Sequence, residues 1–174
     1  MPRIIHFEVI EHPDMLMIGR YEKTDFGSAG QVWQDYLQSD LAGKLKRLAR
    51  KNSLPELTSI DMIDAVGCLF DFREHDCFDL LMGQMVPITT KVPEDVAQKR
   101  LAKGRFAHFQ IQGETVAEII AASFSLMTAH LEKAGLSLPD SDVYWCEVYT
   151  ESFSKALANK EPVTMYYLLP VRSS

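Results

Sequence analysis

The sequence has few cysteines and no pattern that would give them a special chemistry. Only three occur among 174 residues, Cys68, Cys77 and Cys146, with no Cys-x-x-Cys pair and no cluster with histidine. Such spacing provides neither a disulfide framework nor a zinc site. All three lie in apolar runs, so we interpret them as buried, reduced thiols.

Long apolar runs and an excess of basic residues are also lacking. No stretch approaches the roughly 18 apolar residues of a membrane-spanning helix, and the N-terminus has no signal-peptide segment. The chain has 18 Lys and Arg against 24 Asp and Glu, a formal net charge of −6. This balance argues against binding to nucleic acids or anionic membranes and is compatible with cationic small molecules. We expect a cytoplasmic protein.

Common catalytic and cofactor-binding motifs are missing. The glycines from Gly27 to Gly30 are not followed by the Lys-Ser/Thr of a phosphate-binding loop. No Gly-x-Ser-x-Gly nucleophile elbow occurs, and the five histidines lack metal-ligand spacing. We therefore expect no metal and no cofactor.

Alternating apolar residues predict eight strands in two groups of four, each group interrupted by a helix after its second strand. The first helix, residues 28–38, begins at Ser28 as its N-cap. The second, residues 114–133, ends before Gly135. A basic amphipathic segment at residues 41–51 predicts a short third helix with a solvated face. The predicted strands are residues 3–11, 15–23, 64–72, 77–86, 96–103, 105–112, 142–150 and 163–171.

The order strand, strand, helix, strand, strand therefore occurs twice. Small residues, Gly19 and Ala107, stand at matching places before the two helices. Antiparallel strands with segregated helices indicate an α+β fold. We predict one domain of two repeats, at about residues 3–87 and 92–171, with an insertion at about 38–59.

One carboxylate stands inside an aromatic strand, in the segment YWCEVY. Alternation places Trp145, Glu147 and Tyr149 on one face, and Cys146 and Val148 on the other. The second set suits a face covered by helices, so we expect Glu147 on the helix-free face, lining a concave surface. Two aromatic rings beside a carboxylate are typical of a site for a hydrophobic cation.

A purely structural role for Glu147 stays open at this point. Carboxylates are almost never fully buried unless paired, and Arg20, Arg105 or Lys155 could supply the partner at a sheet edge. Burial would raise the pKa of Glu147, and a bound cation would lower it again.

The second half of the chain resembles the GyrI-like effector-binding domain, which is also the ligand-binding module of AraC-type and MerR-type multidrug-responsive regulators. The similarity lies in GRFAHFQIQGETVAEII (104–120), CEVY (146–149) and VTMYYLLPV (163–171). The first half is similar through MLMIGRYEK, VWQDY and the strand pair ending in MVP. Phe106, Cys146 and Phe124 depart from the usual family pattern.

The resemblance implies two βαββ-type repeats with pseudo-twofold symmetry, an antiparallel sheet with two main helices, and a ligand cleft between the repeats. It implies that Glu147 binds the positive charge of lipophilic molecules, with aromatic walls around it. The expected ligand-binding residues are Glu147, Trp145, Tyr149, Trp33, Tyr36, Phe106, His108 and Tyr166.

Three functions follow from these expectations. The first, which we favour, is a stand-alone, non-enzymatic protein that sequesters or senses a lipophilic cation through Glu147. The second is hydrolysis of reactive genotoxic compounds, with Glu147 beside Tyr149 or His108 positioning water as a general base. The third is an interaction like that of gyrase inhibitors, with DNA gyrase or a regulator as partner. No helix-turn-helix accompanies the domain, so we expect no direct DNA binding.

Overall fold

An eight-stranded sheet dominates the computed structural model, which describes all residues from Met1 to Ser174. Two short strands form a separate ribbon. The eight strands of the sheet are β1 (Arg3–His12), β2 (Met15–Asp25), β3 (Ile63–Phe70), β4 (Cys77–Pro87), β5 (Ala97–Leu101), β6 (Gly104–Gly113), β8 (Tyr144–Thr150) and β9 (Val163–Pro170), and the ribbon consists of β7 (Leu136–Ser137) and β10 (Arg172–Ser173).

The strand order across the sheet is β1-β6-β9-β8-β3-β4-β2-β5, and every neighbouring pair is antiparallel. If β1, β2, β3 and β4 are exchanged with β5, β6, β8 and β9, respectively, the same strand order results, read from the opposite edge of the sheet. The first strand of each half pairs with the second strand of the other half: β1 pairs with β6, and β5 pairs with β2. The predicted α+β class is therefore confirmed, while the repeat boundaries at residues 3–87 and 92–171 stay a prediction.

Four α-helices accompany the sheet, together with a 3-10 turn at Pro55–Leu57. None of the four combines the length and the apolar character needed to cross a membrane. The sequence predicted the first three helices and missed the fourth. The helices are α1 (Ala29–Leu37), α2 (Asp40–Lys51), α3 (Val116–Lys133) and α4 (Glu151–Asn159).

Local capping explains where the helices begin and end. The Thr150 hydroxyl accepts a hydrogen bond from the Phe153 N–H at 3.2 Å and starts α4 directly after β8. Ser28 is the N-cap residue of α1, as predicted, but its side chain makes no capping hydrogen bond. Asp25 Oδ1 accepts the Ser28 N–H instead, at 2.8 Å. Gly135, with φ +69°, follows the end of α3 as expected.

The sheet buries an apolar core on each face. We call the side covered by α1, α3 and α4 the helix face, because core residues of these helices, such as Tyr36 and Met127, pack there. On the opposite face, Leu54 and Leu57 from the segment after α2 cover the sheet. Two of the three free cysteines, Cys68 and Cys146, are buried in that opposite core, whereas Cys77 is only half-buried.

Candidate functional site

Glu147 lies on the helix face of β8, not on the helix-free face that we predicted. Trp145, two residues earlier and on the same face of β8, packs in the core beneath α3, whereas Cys146 and Val148 belong to the opposite core. The physical reason is that residues 52–62 supply Leu54 and Leu57 to that opposite core. Cys146 and Val148 are therefore buried without an α-helix above them.

A cleft of about 880 Å³ opens above Glu147 on the helix face. Strands β3, β4 and β8 form its floor, and all four α-helices contribute to its walls, so both halves of the chain line it. Its volume is typical of small-molecule sites. The walls are mostly apolar; their larger side chains are Phe26, Trp33, Leu37, Leu69, Phe78, Leu80, Val116, Ile120, Phe153 and Leu157.

The Glu147 carboxylate has one hydrogen-bond donor and no cationic partner. Its side chain lines the cleft although the residue is only 6% exposed. The Tyr149 hydroxyl donates a hydrogen bond to Glu147 Oε2 at 2.7 Å. Burial raises the pKa of Glu147 to about 7, with the Tyr149 hydrogen bond acting in the lowering direction. The carboxylate is therefore held in an environment that disfavours its charge.

The basic residues that we considered as partners of Glu147 are engaged elsewhere or make no bond to it. The Arg20 guanidinium lies over the Tyr36 ring, 5.9 Å from its centroid. Arg105 Nη2 donates to Ser173 Oγ at 2.9 Å. No ion pair of the chain includes Glu147 or Lys155. The structural pairing that the sequence left open is therefore absent.

Trp33 reaches the neighbourhood of the carboxylate because Gly67 leaves room for its indole. Gly67 is the residue of β3 that pairs with Glu147 of β8. A Cβ atom at residue 67 would lie 2.5 Å from Trp33 Cζ2, so any larger residue would displace the ring. The Trp33 and Tyr149 rings meet edge to face with centroids 4.9 Å apart, and Phe153 packs on Tyr149 in the same manner at 5.1 Å. An aromatic corner thus stands beside Glu147.

Two other predicted residues lie on the helix face but do not line the cleft. Trp145 is buried in a separate aromatic stack, with Phe72 at 4.3 Å and Phe124 at 5.4 Å between ring centroids. Tyr36 is 1% exposed and lies 6.1 Å from Trp33, in the core. Neither side chain is in a position to contact a molecule in the cleft without a rearrangement.

The remaining three predicted residues lie on the opposite face of the sheet. Phe106 and Tyr166 pack with the opposite core. His108 is buried with its Nε2 2.7 Å from His12 Nε2, and burial lowers the pKa of His108 to about 4. The structure therefore brings together Glu147, Tyr149 and Trp33 and separates the other five. No group of His, Cys, Asp or Glu side chains is arranged to hold a metal ion.

Several cleft residues were missed by the sequence reasoning. Phe153 and Leu157 lie on α4, which was not predicted, although a threonine cap followed by Phe153, Ala156 and Leu157 is a recognisable helix pattern. Phe78 and Leu80 alternate correctly along β4, but their alternation does not reveal which face forms a cleft.

Comparison with known proteins establishes the fold. No protein-family model and no curated protein matches the sequence. Solved structures do match over nearly the whole chain. SAV2435 bound to tetraphenylphosphonium aligns with a TM-score of 0.65 at 9% identity, covering 97% of this chain and 94% of the other. The EcmrR C-terminal domain aligns with a TM-score of 0.55 at 14% identity, covering 97% of this chain and 98% of the other. A hydrolase from Listeria innocua aligns with a TM-score of 0.54 at 15% identity, covering 95% of this chain and 91% of the other.

Proposed function

We propose that this chain is a GyrI-like effector-binding protein that binds lipophilic cations in the helix-face cleft, with Glu147 as the charge anchor. The carrying observation is a buried carboxylate with a raised pKa and no cationic partner inside an apolar cleft. A protein of the same fold, SAV2435, is described as bound to tetraphenylphosphonium, a lipophilic cation.

The energetics favour a cation over a neutral or anionic ligand. An ionised carboxylate without a counter-charge is unfavourable in an apolar site, so a ligand cation would offset a cost that the free protein bears. The faces of Trp33 and Tyr149 attract positive charge as well. The apolar walls would bury the hydrocarbon body of the ligand, which contributes roughly 25 cal/mol per Å² of apolar surface.

The direct test is a calorimetric titration of tetraphenylphosphonium at pH 8 into the wild-type protein and Glu147→Gln. We expect the substitution to weaken binding by roughly 2–5 kcal/mol, as for truncation of one partner of a buried charge pair. Asp79→Asn is the matched control, since Asp79 is a buried carboxylate that does not line the cleft. Absence of binding by the wild type, or equal affinity in Glu147→Gln, would falsify the proposal.

Tryptophan fluorescence locates the ligand within the molecule. The chain contains two tryptophans, and only Trp33 lines the cleft. A ligand beside Glu147 should therefore change the emission of the Trp145→Phe variant, which retains Trp33. The Trp33→Phe variant, which retains Trp145, should show little change.

Hydrolysis is a second function that one observation favours. A general base works best when its pKa is near the operating pH, and burial gives Glu147 a pKa of about 7. A hydrolase from Listeria innocua shares the fold. Incubation with a reactive cyclopropane-bearing electrophile, followed by chromatography, separates the two functions. Product formation that requires Glu147 supports hydrolysis, whereas saturable binding without product supports the binding protein.

A further inference from the structure

We propose that Lys46, Asp64 and Ser154 form a second polar subsite of the cleft. It would select ligands that carry an uncharged hydrogen-bonding group, such as a hydroxyl or an amide, at the end of the lipophilic body away from the cation. This inference rests on the proposed function, because it concerns the other end of a ligand whose cation is bound by Glu147.

A β-bulge brings Asp64 to the cleft. The residues before and after Asp64 pair with Thr150 and Tyr149, which are consecutive in β8, so Asp64 is an extra residue in β3. Bulges re-aim side chains relative to strict alternation, and Asp64 lines the cleft together with the next residue of the strand. The buried Gln84 Nε2 donates to the Asp64 carbonyl at 2.8 Å and satisfies the backbone at the bulge.

Two helices meet at this aspartate. Lys46 of α2 donates to Asp64 Oδ1, and the Ser154 hydroxyl of α4 donates to Asp64 Oδ2 at 3.0 Å. All three side chains line the cleft. Lys46 and Asp64 are the one pair of opposite charges in the cleft, and the other charged residue that lines it is Glu147.

The cluster retains hydrogen-bonding capacity toward the cleft. A lysine ammonium has three donors, and the only protein acceptor of Lys46 is Asp64. Each carboxylate oxygen of Asp64 accepts one hydrogen bond and can accept another. The Lys46 and Asp64 side chains are 27% and 23% exposed, so neither is sealed from a ligand.

The charges of the cluster determine the chemistry that it favours. Lys46 and Asp64 neutralise each other, so the cluster attracts neither a second cation nor an anion strongly. A hydroxyl or amide can accept from Lys46 and donate to Asp64 at the same time. A carboxylate at this place would accept from Lys46 but would repel Asp64. The subsite therefore favours neutral groups that both donate and accept.

The distance between the two polar sites sets the length of the ligand. Gly67 pairs with Glu147, and Asp64 precedes Gly67 by three residues in β3. At about 3.3 Å per residue, and about half of that for the step across the bulge, the two sites lie roughly 8 Å apart along the strand. Ala42 and Gly43 stand one helical turn before Lys46 and also line the cleft. Ala42 carries only a methyl group and Gly43 has no side chain, which leaves space for a polar substituent beside the ammonium.

The test uses three phosphonium probes that differ at one end. They are hexyltriphenylphosphonium, its ω-hydroxy derivative and its ω-carboxy derivative, titrated by calorimetry at pH 8. We expect the hydroxyl compound to bind the wild type about tenfold more tightly than the hexyl compound, the gain typical of a hydrogen bond to a charged group. The carboxylate compound should bind less tightly than the hydroxyl compound.

Lys46→Met should reduce the preference for the hydroxyl compound several-fold, because the hydroxyl then keeps only its hydrogen bond to Asp64. Ser154→Ala should reduce the preference in part. The matched control is Lys44→Met, which removes an exposed lysine of the same helix that does not line the cleft. It should retain the full preference. Because the hexyl compound reports on the folded cleft in every variant, misfolding is detected directly.

Two results would overturn the inference alone. One is equal affinity of the wild type for the hexyl and hydroxyl compounds while Glu147→Gln weakens both. The other is a hydroxyl preference that is undiminished in Lys46→Met. If none of the three compounds binds the wild type, the proposed function fails, and the subsite fails with it.

Discussion

Two buried carboxylates in this chain differ in their partners and in their surroundings. Asp79 is 5% exposed and Glu147 is 6% exposed. Each accepts a hydrogen bond at 2.7 Å from a tyrosine hydroxyl, Tyr21 for Asp79 and Tyr149 for Glu147. Asp79 also pairs with Arg73 Nη1 at 2.7 Å, whereas Glu147 has no basic neighbour within bonding distance.

The pKa values of the two groups move in opposite directions. Burial acts to raise the pKa of Asp79, but the hydrogen bonds from Tyr21 and Arg73 outweigh it, and the pKa is lowered. Burial dominates at Glu147 and raises its pKa to about 7. The comparison separates a carboxylate in a structural ion pair from a carboxylate that has no cation of the chain beside it.

The largest predicted effect concerns stability at pH 8. We expect Asp79→Asn to lower the free energy of unfolding by about 1–3 kcal/mol, since it weakens the hydrogen bonds that this buried carboxylate accepts from Tyr21 and Arg73. Glu147→Gln should raise it by roughly 1–3 kcal/mol, because it removes a desolvated charge that has no partner. Urea denaturation of both variants measures the difference. A loss of stability in both would contradict the comparison.

The same stability measurement at low pH is the control for this prediction. The pKa of Glu147 is about 7 in the folded chain and 4.5 as the ordinary value, so the folded state binds more protons between these pH values. The contribution of Glu147 to the free energy of unfolding is therefore fully present below pH 4.5. It is lost as the pH rises to about 7, and the total loss is about 3 kcal/mol at most. The stabilisation by Glu147→Gln should therefore disappear near pH 4.5.

A second prediction concerns the pH dependence of ligand affinity. Tetraphenylphosphonium keeps its charge at every pH, so only the protein titrates. Because a proton on Glu147 competes with the cation, the affinity should fall about tenfold per pH unit below about pH 7 and stay constant above it. Calorimetry from pH 8.5 to 5.5 measures the profile. Asp79→Asn should retain it, and Glu147→Gln should bind weakly at every pH; a flat wild-type profile would refute the role of Glu147.

Part of the site could be predicted from the sequence because strand alternation is local. The pattern grouped Trp145, Glu147 and Tyr149 on one face of β8 without knowledge of the fold. Which face they occupy depends on segments distant in sequence. Leu54 and Leu57, in a region interpreted as a surface insertion, cover the opposite face, so the cleft formed among the helices instead.

The distinction between the two carboxylates could not be predicted locally. Asp79 and Glu147 both stand in apolar strands, and nothing in their flanking residues distinguishes them. Arg73 reaches Asp79 from the turn before β4, and Tyr21 reaches it from β2. The Arg73–Asp79 pair lies within one hairpin, but strand alternation does not show that Arg73 folds back onto Asp79, and the absence of a partner at Glu147 became visible only in the folded chain.

The smallest predicted effect distinguishes the two tyrosines. Tyr149→Phe removes the only hydrogen bond to Glu147, so the pKa of Glu147 should rise further and cation affinity at pH 7 should fall several-fold, as expected for one hydrogen bond. Tyr21→Phe leaves Arg73 on Asp79, so Asp79 should stay ionised at neutral pH. Carbon NMR of the side-chain carboxyl groups follows both titrations. If Tyr149→Phe leaves the titration of Glu147 unchanged, burial alone sets its pKa and the Tyr149 hydrogen bond contributes nothing to it.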